Sequence, residues 1–426
     1  MNDPAFQISA ANVRFGAGIT REIGMDLQDL QARHTMLLMD PALRDLAPGQ
    51  TVQESLREAG ISYALFDRIS VEPTDRSFQE AIEFARDGRF DSFVAVGGGS
   101  TMDTAKAANL YSTHPADFLE YVNAPIGRGR PVPGPLKPLI AVPTTAGTGS
   151  ETTGVAIFDY LEQKAKTGIA HRALKPTLGI VDSENTRTLP PAVAASAGLD
   201  VLSHALESYT AIPFHQRPLP ARPNERPAYQ GSNPVSDIWA LRALELVNDF
   251  LIRAVEDPAD DEARSQMLLA AAMAGIGFGN AGVHLPHGMS YPVAGLIRDY
   301  RPPGYAVDHP LAPHGISVIL HTPAVVRHTA FTSPKRHLRA AAALGADVRG
   351  ATPTEAAEVL VARLLEIMRR LQVPNGLTAL GYGEADIGKL VAGTLPQHRV
   401  TKLAPVPVTP ELLAMLFRES LVLWPA

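Results

Sequence analysis

Strand-like and helix-like segments alternate along the first 190 residues, and this alternation restricts the fold more than any other feature of the sequence. Helical patterns at Thr51–Glu58, Ser77–Arg86 and Ser100–Leu110 are interspersed with short apolar runs. The runs typical of buried strands are Thr35–Met39, Ile61–Phe66, Phe93–Val96, Leu139–Val142 and Leu178–Val181. Such alternation favours a parallel sheet with helices on its faces.

Beyond Pro190 the strand signal fades, and long Ala- and Leu-rich helical patterns take over. They are Ala192–Ala211, Pro234–Glu256, Glu262–Gly277, Pro334–Leu344, Thr354–Leu371 and Pro410–Leu423. We therefore predict an α/β domain over residues 1–190 and an all-helical domain over residues 191–426.

Composition describes an ordinary globular chain of 426 residues, 45% hydrophobic and 19% charged. The net charge of -6 gives no reason to expect nucleic acid or an anionic membrane as a partner. Because there is no cysteine, disulfides, thiolate ligands and a Cys nucleophile are excluded. The residues Met1-Asn2-Asp3-Pro4 show no secretory signal, so the expected location is cytoplasmic.

A glycine-rich turn, Gly97-Gly98-Gly99-Ser100, follows a predicted strand and opens a helix that Ser100 is placed to cap. Such a turn can offer backbone N–H groups to a pyrophosphate, or simply connect strand to helix. Asp103 and Lys106 follow in the helix, where they could line the same crevice; the alternative for Lys106 is a solvated surface charge. Asp40, after an earlier strand, is either the carboxylate that holds an adenosine ribose or a turn residue.

Hydroxyl groups and glycines are dense in the segment from Pro143 to Glu151, which reads PTTAGTGSE. The segment follows the predicted strand Leu139–Val142, and ligands bind at the carboxyl ends of strands in open α/β sheets. It is therefore a candidate ligand loop, the alternative being a flexible polar loop.

Four potential metal ligands lie in the second half of the chain. Asp200 and His204 are four residues apart and share one side of a helix, while His287 and His314 each precede a glycine. One carboxylate and three imidazoles suit Fe(II) or Zn(II). The alternative is a set of hydrogen-bonded core histidines, and His284 could compete as a ligand. Further histidines without a distinguishing context are His309, His321 and His328.

Five motifs resemble, in this order, those of the iron-containing alcohol dehydrogenase family. They are GGGSTMDTAK, PTTAGTGSETT, AGLDVLSHALESY, HLPHGMSYP and APHGISV, and the resemblance extends over residues 8–423. Four segments are closest to the hydroxyacid–oxoacid transhydrogenase branch: RPAYQGSNPVSDIWA, AGIGFGNAGVHLPHGMSYP, VDHPLAPHG and GTLPQHRVTKLAP. The resemblance implies a Rossmann-like dinucleotide-binding α/β domain and an all-α metal-binding domain, the fold of dehydroquinate synthase and iron alcohol dehydrogenases.

By motif position, the resemblance implies NAD as the cofactor and a metal, Fe(II) or Zn(II), held by Asp200, His204, His287 and His314. It places Asp40 and Lys166 at riboses. The remaining residues expected to contact the cofactor are Gly97, Gly98, Gly99, Ser100, Asp103, Thr144, Thr145, Thr148 and Ser150.

Tyr291 stands where many alcohol dehydrogenases of the family have a second histidine, four residues after the first His-Gly. That histidine is often assigned to proton relay beside the nicotinamide. Because the transhydrogenase branch resembles this chain at the tyrosine, we predict Tyr291 as the catalytic residue that relays the proton.

The implied reaction is metal-assisted hydride transfer through bound NAD, from 4-hydroxybutyrate to 2-oxoglutarate, giving succinate semialdehyde and 2-hydroxyglutarate. Each substrate carries a carboxylate remote from the reacting carbon, which requires a cation. The predicted candidates for that cation are Arg217, Arg222, Arg226, Lys402 and His309.

Three alternatives remain at this stage. The first is an ordinary NAD-dependent alcohol or hydroxyacid dehydrogenase that releases NADH at each turnover. The others are a sugar-phosphate cyclase of the dehydroquinate synthase type and a metal- or nucleotide-binding protein without turnover. A homo-oligomer is a further expectation from the family resemblance.

Overall fold

The computed structural model describes residues 1–163, 165–305, 307 and 309–425, so Asp308 of the VDHPLAPHG segment lies outside the described residues. Contacts divide the chain into two compact units. One, here called the sheet unit, is Ser9–Leu189, and the other, the helical unit, combines Met1–Ile8 with Pro190–Ala426. The functional domains 1–190 and 191–426 stay a prediction.

The sheet unit contains, in the described part of the chain, eight strands and four α-helices. The strands are β1 (Val13–Gly16), β2 (His34–Met39), β3 (Ser62–Phe66), β4 (Ser92–Gly97), β5 (Leu139–Pro143), β6 (Val155–Tyr160), β7 (Ala165–Ala170) and β8 (Leu178–Asp182). The helices are α1 (Ile23–Asp29), α2 (Ala47–Glu58), α3 (Asp75–Gly88) and α4 (Gly99–Thr113).

Six of these strands form one parallel sheet in the order β1-β8-β5-β4-β2-β3. The predicted α/β class is therefore confirmed. Strands β6 and β7 form a separate antiparallel pair, which the sequence pattern did not predict. In this arrangement the carboxyl ends of β4 and β5 are neighbours, so the two predicted ligand loops emerge side by side.

The six-stranded sheet is buried on both faces, as the alternation of its side chains shows. On β2, Leu37 and Met39 pack into one apolar cluster, whereas Met36 and Leu38 pack into another. Successive side chains of a strand point to opposite faces, so the two clusters lie on opposite sides of the sheet. This two-sided burial explains why the strands read as continuous apolar runs.

The helical unit contains, among its described residues, eleven α-helices and none of the named strands, which confirms the predicted all-helical character. They are α5 (Pro191–Thr210), α6 (Pro234–Glu256), α7 (Asp261–Ala281), α8 (Leu285–Gly295), α9 (His314–Ile319), α10 (Thr322–Thr329), α11 (Pro334–Ala343), α12 (Ala356–Arg370), α13 (Ile387–Thr394), α14 (His398–Thr401) and α15 (Pro410–Glu419). Within the described residues no single helix has the length and apolarity of a membrane span. Helices α7 and α8 have that length and apolarity only when taken together, and a 104° bend lies between them.

Candidate metal centre and cofactor loops

The two ligand loops of the sheet unit approach each other closely where glycines stand. A Cβ atom added to Gly99 would lie 2.6 Å from Cγ2 of Thr148, and one added to Gly98 would lie 3.3 Å from Oγ1 of Thr145. At the base of the loops, the amide of Thr144 donates to the carbonyl of Gly97 over 3.0 Å. The glycines of the turn therefore allow a hydroxyl-rich loop to lie directly against it.

Ser100 does not cap α4, contrary to the prediction. The helix begins at Gly99, with Gly98 as the residue before it and without a side-chain cap. Ser100 consequently lies inside the first turn, and its Oγ accepts the amide N–H of Glu72 over 3.2 Å. The uncapped start leaves the amide groups of the first turn without a side-chain acceptor.

Asp103 and Ser150 join a buried network around Lys106. The hydroxyl of Ser150 donates to Asp103 over 2.7 Å, and Lys106 Nζ lies 2.5 Å from the same hydroxyl and 3.4 Å from Asp103. Lys106 is fully buried, so the alternative that it is a surface charge is wrong. Burial lowers the pKa of its ammonium group. The network ties α4 to the loop; contacts of Asp103 and Ser150 with a cofactor stay a prediction.

Lys166 and Asp40 have protein partners in the sheet unit. Lys166 on β7 is buried and forms ion pairs with Glu72 at 2.5 Å and with Asp159 at 3.1 Å. Burial alone would lower the pKa of Lys166, but the two carboxylates outweigh it and raise the pKa. Asp40 accepts the amide N–H of Ala42 over 2.9 Å, as a turn residue does. Their predicted ribose contacts remain predictions.

The four predicted metal ligands meet in the helical unit. From Oδ1 of Asp200, the nearest nitrogens of His287, His314 and His204 lie 3.6, 3.7 and 3.7 Å away. Asp200, His287 and His314 form a group whose donor atoms all lie within 4.8 Å of one another. His204 is outside that group and stacks on the ring of Phe278 at 3.9 Å between centroids.

Three donor atoms of this cluster are buried without hydrogen-bond partners, which is the feature that fits a metal ion. They are Oδ1 of Asp200, Nε2 of His287 and Nδ1 of His204. Separations of 3.6–3.7 Å exceed a hydrogen bond. They match the roughly 3.4–3.6 Å between ligands that surround one cation at about 2.1–2.2 Å. The residues present therefore fit a divalent metal.

Electrostatics at the cluster also favour a bound cation. Burial raises the pKa of Asp200, but the surrounding imidazoles outweigh it and hold the pKa well below its usual range. Burial lowers the pKa of His204 to about 3, so this imidazole is neutral and its nitrogen lone pair is available. An ionised carboxylate beside a neutral imidazole is the state in which both bind a metal.

Glu207 completes the cluster and was missed by the sequence analysis. Its Oε1 lies 2.6 Å from Nδ1 of His287, and its Oε2 accepts the amide N–H of His284 over 2.6 Å. A carboxylate on one imidazole nitrogen fixes the ring and leaves the other nitrogen for a metal. The signal was available, because Asp200, His204 and Glu207 follow the helical spacing i, i+4, i+7.

His284 and Tyr291 flank His287 in the sequence and have different surroundings. Nε2 of His284 lies 3.0 Å from the hydroxyl of Thr210, so this ring is turned to another partner. The hydroxyl oxygen of Tyr291, which is buried, accepts an N–H from Arg399 over 3.0 Å.

The cations predicted to bind a substrate carboxylate have other surroundings. Arg217 and Arg226 pair with the buried Asp3 at 3.3 and 2.8 Å, and so hold residues 1–8 to the helical unit. Arg222 and His309 are exposed. Lys402 is exposed on a groove of about 450 Å³ formed mainly by residues 395–408.

Known family models match both units of the chain. The model of the iron-containing alcohol dehydrogenase matches residues 10–183. The model of the Fe-containing alcohol dehydrogenase family, C-terminal, matches residues 227–421.

Individual proteins match over nearly the full length. The mitochondrial hydroxyacid-oxoacid transhydrogenase of Bos taurus is 59% identical over 424 residues, which are 99% of this chain and 91% of that protein. The crystal structure of a 1,3-propanediol oxidoreductase superposes with a TM-score of 0.85 at 28% identity, covering 98% of this chain and 100% of the other. Sulfoacetaldehyde reductase from Bifidobacterium kashiwanohense, solved in complex with NAD+, gives 0.79 at 25% identity and 98% coverage of both chains.

These relatives overturn the expected cytoplasmic location, because the transhydrogenases from Bos taurus, Homo sapiens and Dictyostelium discoideum are described as mitochondrial. The expectation rested on the lack of a secretory pattern, and such a lack does not select a compartment.

Proposed function

This chain belongs to the iron-containing alcohol dehydrogenase family, and we propose that it works as a hydroxyacid–oxoacid transhydrogenase. The reaction takes a hydride and a proton from 4-hydroxybutyrate and delivers both to 2-oxoglutarate. The products are succinate semialdehyde and 2-hydroxyglutarate, so no external oxidant or reductant is consumed. The observation that carries the proposal is the 59% identity to a transhydrogenase over 424 residues.

The metal is proposed to be Fe(II), held by Asp200, His204, His287 and His314. Buried donor atoms without partners support this assignment. Glu207 accepts the Nδ1 proton of His287 and so keeps Nε2 of that ring turned to the metal. When bound, the metal supplies a Lewis acid for the substrate oxygen and NAD supplies the hydride acceptor.

The cofactor is proposed to be NAD, with its phosphates at the glycine-rich turn of the sheet unit. The close approach of Gly98 and Gly99 to the threonine loop supports this, since side chains there would fill the space beside the turn. The first turn of α4 also lacks a side-chain cap, and a helix N-terminus favours a phosphate. The NAD+ bound to the sulfoacetaldehyde reductase is consistent with the choice of cofactor.

Tyr291 is proposed to relay the proton. Its phenolic oxygen accepts an N–H from Arg399, so its own O–H is free to be directed at another acceptor. In the oxidative half of the reaction the phenolate form of Tyr291 takes up the alcohol proton and becomes the phenol, and in the reductive half the phenol donates that proton to the new hydroxyl group.

The proposal is tested with purified enzyme reconstituted with Fe(II) and supplied with 4-hydroxybutyrate and 2-oxoglutarate but without added nicotinamide. We expect repeated turnover to 2-hydroxyglutarate, measured by mass spectrometry, because the retained NAD is oxidised and reduced in each cycle.

No 2-hydroxyglutarate in that mixture, together with NADH formation once NAD+ is added, would instead identify an ordinary dehydrogenase with an exchanging cofactor. We also propose a homo-oligomer, which sedimentation of the loaded enzyme would test.

A further inference from the structure

Arg399 is a half-buried cation without an acidic partner among the described residues. Its Nη2 donates to the hydroxyl oxygen of Tyr291 over 3.0 Å, and its Cζ lies 5.0 Å from the ring centroid of Tyr229. Its Nη1 is buried without a hydrogen-bond partner. Across the described part of the chain, no Asp or Glu forms an ion pair with it. A desolvated guanidinium in this state is costly unless a ligand pairs with it.

Arg336, in the same helical unit, contacts a tyrosine in the same way but has its charge balanced by a carboxylate. Its Cζ lies 3.9 Å from the ring centroid of Tyr209, and its two terminal nitrogens lie 2.9 and 2.6 Å from the carboxylate oxygens of Asp237. Arg399 has the tyrosine contacts of Arg336 but lacks the carboxylate. Among the residues that the structure describes, no carboxylate completes Arg399 as Asp237 completes Arg336.

Arg399 lies beside the helix that carries a metal ligand. Tyr291, its hydrogen-bond partner, is four residues after His287 on α8, so the two side chains share one face. Helical side chains lean towards the N-terminus, which directs Tyr291 towards the turn of His287. A Cβ on Gly288 would lie 3.1 Å from Thr401, so α14 sits closely against α8 there.

The cluster also brings together three of the four segments that resemble the transhydrogenase branch. Tyr229 belongs to RPAYQGSNPVSDIWA, Tyr291 to AGIGFGNAGVHLPHGMSYP and Arg399 to GTLPQHRVTKLAP. These segments are far apart in sequence, yet each contributes one member of the cluster.

We propose that Arg399 binds the remote carboxylate of both substrates and thereby selects for hydroxy and oxo acids over simple alcohols. The assignment rests on the proposed function. In 4-hydroxybutyrate the carboxylate is three carbon–carbon bonds from the reacting C4, and in 2-oxoglutarate the distal carboxylate is three from the reacting C2. Three such bonds span about 4 Å, so one fixed cation serves both half-reactions. The forked guanidinium can bind either carboxylate with two hydrogen bonds.

The test measures the reduction of protein-bound NAD+ by 4-hydroxybutyrate and by 1-butanol in single turnovers of the metal-loaded protein, followed through NADH absorbance. Here kcat and KM stand for the limiting rate of that step and the substrate concentration at half that rate. The two substrates differ only in a carboxylate against a methyl group. Arg399→Met is expected to lower kcat/KM for 4-hydroxybutyrate, relative to that for 1-butanol, roughly 30- to 300-fold and mainly through KM. Loss of the hydrogen bond to Tyr291 affects both substrates equally and therefore cancels in this ratio. Arg399→Lys keeps the charge without the fork, and we expect a loss of roughly 10-fold.

The matched control is Arg349→Met, which removes an arginine of the same unit whose side chain is 90% exposed and is expected to leave both substrates unchanged. Parallel losses for 4-hydroxybutyrate and 1-butanol in Arg399→Met would show a merely structural role and overturn the proposal. If Arg399→Met does not fold, the lysine variant decides by the same substrate comparison.

A binding measurement separates this proposal from the transhydrogenase assignment. Calorimetric titration of the loaded protein with 2-oxoglutarate is expected to give a Kd raised roughly 30-fold or more in Arg399→Met. If the wild-type protein needs added NAD+ for every turnover, the transhydrogenase assignment fails while the Arg399 result still stands. If 2-oxoglutarate binds Arg399→Met and the wild type equally, the Arg399 assignment fails by itself.

Discussion

Buried charges in the sheet unit are paired within the protein, whereas several in the helical unit are not. Lys106 and Lys166 each meet carboxylate or hydroxyl groups of their own unit. In the helical unit, Asp200, His287 and Arg399 each have a buried polar atom without a hydrogen-bond partner. Paired groups hold a fold together, and unpaired groups mark the places where a ligand completes the structure. Among these buried groups, those that a ligand would complete therefore lie in the helical unit.

The largest effect is expected from Asp200→Asn, which keeps the shape of the side chain and removes the charged donor. We expect loss of the bound metal and a fall in turnover of about 1,000-fold, since Lewis-acid stabilisation is worth several kcal/mol. Metal content by elemental analysis and turnover with 4-hydroxybutyrate measure both. A variant that holds the metal at full occupancy would contradict the assignment of Asp200.

The sharpest test of the comparison measures the effect of removing each of two cations, the buried Lys106 and the half-buried Arg399. Lys106→Met is expected to lower the free energy of unfolding by about 3–5 kcal/mol, because it leaves the Asp103 carboxylate without its countercharge. Arg399→Met removes an unpaired cation and is expected to change the same quantity by no more than about 1 kcal/mol. Urea unfolding of the metal-free proteins, followed by circular dichroism, measures both. Equal losses in the free energy of unfolding for Lys106→Met and Arg399→Met would contradict the distinction between the units.

Glu151 is the exception within the sheet unit, because its Oε1 is buried without a hydrogen-bond partner. Burial raises the pKa of this carboxyl from 4.5 to about 7. Its contribution to stability is therefore present below the unfolded pKa and is lost as the pH rises through about 7. Glu151→Gln should match the wild type near pH 5 and exceed its free energy of unfolding by up to about 3 kcal/mol near pH 8.

The measurement for Glu151 is urea unfolding of both proteins across that pH range. A constant difference between the wild type and the glutamine variant at every pH would show that the carboxyl does not titrate in this window.

The smallest effect concerns the pairing of Glu207 with His287. Glu207→Gln weakens the hydrogen bond that orients the imidazole, and metal affinity is expected to fall 10- to 100-fold. Competition with a chelator of known affinity measures the change, with Arg349→Met as the control. Unchanged affinity would mean that the helix alone orients the ring.

Much of the fold followed from the sequence because buried parallel strands have a distinctive composition. Strands such as Phe93–Val96 carry apolar side chains on both faces, so they stand out as short runs. The partly exposed β1 and the β6–β7 pair lack that pattern and were missed. The pairing of these strands depends on their partner strands, which the hydrophobic periodicity of a single segment does not reveal.

The site was predictable only where its geometry is local. Asp200 and His204 share a helical face by their spacing, but the partnering of a charge is a property of the folded chain. Nothing near Arg399 in the sequence distinguishes it from Lys402. Only the structure shows that Nη1 of Arg399 is buried without a partner, whereas Lys402 is exposed. Arg217 and Arg226 looked equally suited to a substrate until Asp3 was found between them.

The burial of Asp3 against these arginines also bears on the order in which the protein is made. Residues 1–8 leave the ribosome about two hundred residues before Arg217 and Arg226, the partners to which they bind. The sheet unit is complete at Leu189 and can fold during synthesis, as domains generally do. Residues 1–8 can form these ion pairs only after Arg217 and Arg226 of the helical unit have been synthesised. The metal centre, whose ligands all follow Leu189 in the sequence, therefore assembles after the sheet unit has been synthesised.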